Sequence, residues 1–143
     1  MNPAVLAQLA TTLPLAGLIW FVQVAHYPLF SRVGADAFPD YHAAYTARIS
    51  ILVGPLMAVE AGAAAWLAFA PPPGVPRAAT AAGLGLVAVI WGSTAALQVP
   101  EHRRLSSGFS RTAAARLVET NWIRTASWTA RGTLALWMAA GQS

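Results

Sequence analysis

Three histidines, His26, His42 and His102, each adjoin an apolar stretch of roughly membrane-spanning length. His26 closes the first stretch, His42 opens the second and His102 follows the third. Imidazole nitrogens joined by a carboxylate such as Glu101 or Asp40 are donors for zinc, iron or copper. The expected ligands of such a transition-metal site are His26, His42, His102 and Glu101. A haem is less favoured, because these histidines lie near loops and do not oppose one another in mid-helix. The chain has no H-E-x-x-H, Glu-x-x-His or His-x-His. A competing reading therefore stands beside the metal: interfacial histidines bonded to water, headgroups or carbonyls.

A second group of chemistry-bearing residues lies within the apolar stretches. Glu60 stands as far along the chain from Arg48 as Arg131 does from Glu119. Measured from one membrane face their depths match, and an unpaired charge at that depth costs about 2.5–3.5 kcal/mol. A Glu60–Arg131 pair is expected, either as a structural clamp or as a proton relay or ligand anchor. Asn121, Arg124, Trp128 and Arg131 are spaced by three, four and three, which is one helix face. From His42 to Glu60 is about five helical turns, a near-whole number, so the two share a face of their helix. Two such stripes facing each other would line a polar crevice. The catalytic candidates are Glu60, Asn121, Arg124 and Arg131.

Helices must position these side chains. Of 143 residues, 57% are hydrophobic and only 10% charged, far below the roughly 25% charged of soluble domains. The chain reads as one all-α domain, residues 1–143, an integral membrane four-helix bundle with helices at about 4–27, 38–70, 78–98 and 110–140. Pro14 and Gly54-Pro55 should bend the first two helices. His26-Tyr27-Pro28, Pro71-Pro72-Pro73-Gly74 and Val99-Pro100 read as stops, and Ser106-Ser107-Gly108 as a loop. The N-terminal stretch lacks a basic flank and is too long for a signal peptide's apolar core, so it reads as a retained span.

All nine basic residues are Arg, against five acidic ones, for a net charge of +4. Arg32, Arg48, Arg103, Arg104, Arg111 and Arg116 fall at one end of the helices and Arg77 alone at the other. The positive-inside rule puts the Arg-rich end in the cytoplasm and both termini on the non-cytoplasmic side. Arginines flanking apolar spans meet lipid phosphates, so nucleic acid is not an expected partner. The Ala- and Arg-rich, Lys-free composition suggests a GC-rich bacterium and hence its inner membrane. The absence of Cys excludes thiolate ligands, Cys nucleophiles and disulfides. Tyr27, Phe30, Phe38, Tyr41 and Tyr45 surround the first two histidines, as an aromatic belt or as a surface for a flat hydrophobic molecule.

Pro100-Glu101-His102-Arg103-Arg104-Leu105, then Leu117 and Asn121-Trp122-Ile123-Arg124-Thr125, resemble the small four-helix membrane proteins grouped with anthrone oxygenases. In that family a Pro-x-Asn-x-x-Leu stretch precedes a last helix carrying Trp-x-x-x-Asn-x-x-Arg. Here His102 stands for the usual Asn and Leu117 for the usual Trp. The resemblance covers only the stretch from Pro100 into the last helix. It implies oxidation of a lipophilic aromatic, with Asn121 and Arg124 in the site.

Three functions follow. One is a metal-dependent membrane oxidoreductase acting on a lipophilic, aromatic or quinone-like small molecule at the cytoplasmic interface. Another is a non-catalytic accessory or scaffold subunit of a larger membrane complex. The last is a small proton- or solute-conducting bundle, which at this size would need to form a homo-oligomer. Phosphate-binding loops, G-x-S-x-G and dinucleotide fingerprints are missing; Gly83-Leu84-Gly85 lies inside an apolar span.

Overall fold

The computed structural model describes residues 1–141, and among them every regular element is helical. Four helical rods run as α1 (Pro3–Arg32), α2 (Phe38–Phe69), α3 (Arg77–Leu105) and α4 (Arg111–Ala140). The first three are long and apolar enough to cross a membrane. α4 falls short by composition because it carries more polar and charged residues, and several of these are turned inward. Asn121, Arg124, Thr125, Ser127 and Arg131 are buried, while Trp122, Ile123, Leu136 and Trp137 are exposed. Apolar exposure is general: Ile51 is 76% and Phe69 86% accessible. Aqueous surfaces do not tolerate such continuous apolar cover, whereas lipid requires it.

Local signals set the helix ends. The Asn2 side chain accepts from the Ala4 N–H at 2.9 Å, with Pro3 at the first helical position. Ser110 Oγ accepts from the Ala113 N–H at 3.3 Å and starts α4. Gly74, at φ +81°, turns the proline-rich connection between α2 and α3.

α1 packs against α2 and α4, and α3 against α4 and α2. Val5, Leu67, Val75 and Met138 form one small apolar cluster, which brings both chain ends beside the α2–α3 connection. At the other, Arg-rich end Phe38 meets Phe109 with ring centroids 5.2 Å apart, joining the start of α2 to the α3–α4 connection. The main core lies between this end and mid-length, built on Leu15, Ile19, Phe30, Met57, Leu117 and Trp128.

Two expected helix ends are overrun, for one physical reason. Both α1 and α3 contain a π turn, Val22–His26 and Thr94–Gln98, that finishes just before Tyr27-Pro28 and Val99-Pro100. A proline ring clashes with the carbonyl one turn back and cannot donate to it. The wider turn takes up both defects: the Tyr27 N–H bonds the Val22 carbonyl at 3.0 Å, and Val99 bonds Thr94 in the same way. The chain then continues as Pro28–Arg32 and Val99–Leu105 instead of stopping at His26 or Gln98. The π turns also rotate the residues that follow them, among them Tyr27 and His102.

Candidate functional site

Beyond the π turns the helices leave a cavity of about 450 Å³, within the usual range for small-molecule sites. α2 packs along Arg77–Ser93 but scarcely touches the rest of α3. The cavity fills the opening between them and is walled mainly by apolar side chains, from Leu15 and Met57 to Trp91 and Trp128. Ser50, Gly54 and Trp91 on its rim are exposed. Its polar end carries Tyr27, His42, Tyr45, Gln98, His102 and Arg124.

Those polar groups form a chain of contacts. The Tyr27 hydroxyl shares a hydrogen bond with His102 Nε2 at 3.1 Å, and His102 Nδ1 shares one with His42 Nε2 at 3.0 Å. Tyr27 and Tyr45 lie beside the Arg124 guanidinium. Arg124 sits over the Trp128 ring at 5.1 Å, and its NH1 donates to Asn121 Oδ1 at 3.3 Å. Asn121 is held in turn: its Nδ2 donates to Gln23 Oε1 at 2.8 Å, and Thr125 Oγ1 donates to the same oxygen at 3.3 Å. Gln23, in the first π turn, also donates to the Val118 carbonyl at 3.0 Å and ties α1 to α4.

Four buried side-chain polar atoms among the described residues have no hydrogen-bond partner: His26 Nε2, His42 Nδ1, Gln98 Oε1 and Arg124 Nε. Three of these belong to residues that line the cavity. A buried polar atom without a partner costs about 1–3 kcal/mol. His42, Gln98 and Arg124 thus each combine a place on the cavity wall with an enclosed polar atom that lacks a partner.

The expected metal ligands are only partly gathered. His42 and His102 face each other, but His26 stacks on Tyr45 at 4.1 Å and contacts Phe30 at 5.2 Å. Glu101 accepts from Arg104 NH1 at 2.8 Å and lies 3.8 Å from Arg116 NH1. Asp40 is exposed in the first turn of α2. Among the described residues no three His, Asp or Glu side chains are grouped to hold a metal ion. His42 Nε2 and both His102 nitrogens bond each other and Tyr27, while His42 Nδ1 stays without a partner.

The other candidates form a separate, deeper knot. Arg131 Nε donates to Glu60 Oε1 at 2.9 Å, the pair expected from matched depths. Thr12 Oγ1 donates to the same oxygen at 2.7 Å, and Trp128 Nε1 donates to Oε2 at 3.1 Å. The remaining Arg131 nitrogens donate to the Gly83 carbonyl and to Gln8 Oε1. Gln8 Nε2 donates to the Glu60 carbonyl at 2.8 Å. All four helices are joined here, and both carboxylate oxygens and all three guanidinium nitrogens are engaged. Trp128 links the knot to the cavity, with its N–H on Glu60 and its ring under Arg124.

Sequence reasoning left Tyr27 and Tyr45 between an interfacial belt and a surface for a flat hydrophobic molecule, and attached no role to Gln23 or Gln98. The signal for the two glutamines was available: an uncharged amide in a lipid-embedded helix needs partners as surely as a charge does. Comparison with protein-family models, curated proteins and solved structures finds no match to this chain.

Proposed function

We propose that the chain is a transmembrane four-helix bundle that takes a lipophilic, oxygen-bearing molecule sideways from the bilayer and moves a proton at its oxygen. The exposed apolar cover supports the membrane setting, with the Arg-rich end toward the cytoplasm of a bacterial inner membrane and both termini opposite. The observation that carries the reading is the clustering of unpartnered polar atoms on one apolar, laterally open cavity.

Tyr27, His102 and His42 supply the proton path. With both imidazoles neutral, Tyr27 donates to His102 Nε2, and His102 Nδ1–H donates to His42 Nε2, leaving His42 Nδ1 protonated. A proton passed from the ligand to the Tyr27 oxygen shifts each bond by one step. Tyr27 gives its proton to His102 Nε2 and His102 gives its Nδ1 proton to His42 Nε2, which leaves His42 as the imidazolium that holds the proton. This is proton abstraction from the hydroxyl of a phenol- or quinol-like molecule, the substrate class that the resemblance to anthrone-oxygenase-like proteins also suggests. Glu60 and Arg131 serve as the clamp that fixes α4, and hence Arg124, against the other helices.

Gly54→Leu tests the reading. Gly54 lines the cavity, and a Cβ there meets nothing within 4 Å. Leu is also the better helix former by roughly 0.8 kcal/mol. A brominated alkylphenol should quench Trp91 and Trp128 with a saturable component. Gly54→Leu should remove that component while thermal stability holds or rises. Quenching of the wild-type chain that shows no saturable component overturns the proposal.

A further inference from the structure

We infer that the molecule bound in this cavity is a lipophilic acid, held once its proton has left as an anion with its charged oxygen on Arg124; the inference rests on the cavity reading above. α4 buries two arginines on one face, about two turns apart. They are treated differently. Arg131, 2% exposed, has a carboxylate at 2.9 Å and partners on every nitrogen. Arg124, 8% exposed, pairs with no carboxylate among the described residues, and its Nε has no partner. Its immediate surroundings are an amide oxygen of Asn121, the Trp128 ring, and the Tyr27 and Tyr45 rings, all uncharged.

Arginine keeps its charge in proteins, so folding alone leaves Arg124 uncompensated in an apolar wall, with the exposed Arg103 also lining the cavity. Among the described residues no other acid is placed to answer it. Glu60 is spent on Arg131, Glu101 is held by Arg104 and Arg116, and Asp36, Asp40 and Glu119 make no ion pair with Arg124. An anion entering with an apolar body satisfies both halves of the site at once. The carboxylate or phenolate takes the guanidinium, and the tail fills the space between α2 and α3. A charge-assisted bond of this kind contributes about twice a neutral one, so charge on the ligand should decide affinity more than tail length does.

The test compares dodecanoate with dodecan-1-ol, which share a tail and differ in charge, as competitors of the brominated alkylphenol on the full chain in a non-ionic detergent. The acid is expected to displace the probe at least about tenfold more strongly than the alcohol. Arg124→Gln should lower the acid to the level of the alcohol, and Arg124→Lys should keep part of the preference, guarding against a Gln variant that fails to fold. Native mass spectrometry distinguishes the sources of the anion. An anionic phospholipid retained by wild type and lost from Arg124→Gln supports an acidic head supplied by the bilayer. Equal displacement by acid and alcohol overturns the inference while the cavity reading stands. Displacement by neither overturns the cavity reading itself.

Discussion

Replacing Glu60 by Gln should destabilise the fold by about 3–5 kcal/mol, the cost of removing one partner from a buried ion pair. The geometry shows why the substitution is not mild. Glu60 is fully buried and Arg131 nearly so. Oε1 receives Arg131 Nε–H and Thr12 Oγ1–H, and Oε2 receives Trp128 Nε1–H. A glutamine must put its NH2 at one of these positions. At the first it faces a guanidinium N–H, and at the second an indole N–H, neither of which can accept. One obligate donor is therefore orphaned whichever way the amide turns, at about 1–3 kcal/mol, and the Arg131 charge loses its counterion as well. Against a total stability on the order of 5–15 kcal/mol, this is a large fraction. The assay is reversible unfolding in mixed micelles, read by helical circular dichroism and tryptophan fluorescence. Adding Arg131→Met to Glu60→Gln should recover part of the loss, because the uncompensated ion is then gone. A Glu60→Gln chain within about 1 kcal/mol of wild type would refute the argument, showing that Glu60 carries no charge that the fold depends on.

Two further outcomes bear on the setting and the chemistry. Since the chain has no native cysteine, Ser107→Cys and Pro73→Cys can each be labelled without background. In intact bacterial cells an impermeant thiol reagent should reach Pro73→Cys and spare Ser107→Cys, and the reverse pattern rejects the proposed orientation. Chelation should leave the thermal stability and alkylphenol binding of the purified chain unchanged, whereas stoichiometric iron, copper or zinc lost on His42→Ala or His102→Ala would show that the imidazole pair serves a metal.

The residues differ in how far their roles could be read before any coordinates. Glu60 and Arg131 were legible because a charge in lipid has few permitted fates, and counting residues from a common face yields depth. The inward turn of Asn121, Arg124, Trp128 and Arg131 was legible for the same reason. The joining of His42 to His102 was only half legible. Their shared end followed from charge asymmetry, but their register depends on the π turn before Pro100, and no apolar periodicity reports a π turn. Pro28 and Pro100 read as stops because a proline ends most helices. Here the preceding turn widens instead, and helix continues to Arg32 and Leu105. Tyr27 and Tyr45 could not be separated from an ordinary aromatic belt by composition. What separates them is proximity to Arg124, a tertiary fact.

The contrast between the two buried arginines also orders the molecule's parts by task. A knot whose donors and acceptors are all engaged has nothing to exchange with a ligand, and its natural product is rigidity. A cluster with an unpartnered guanidinium nitrogen, an unpartnered amide oxygen and an unpartnered imidazole nitrogen still has bonds to make. The two are joined through Trp128, whose N–H belongs to the first and whose ring belongs to the second. Loosening the knot should therefore move Arg124 before it moves the histidines, which hang from the π-turn segments of α1 and α3 and from the start of α2. On this physical ground a Glu60→Gln chain that still folds should weaken anion binding more than it disturbs the Tyr27–His102–His42 contacts.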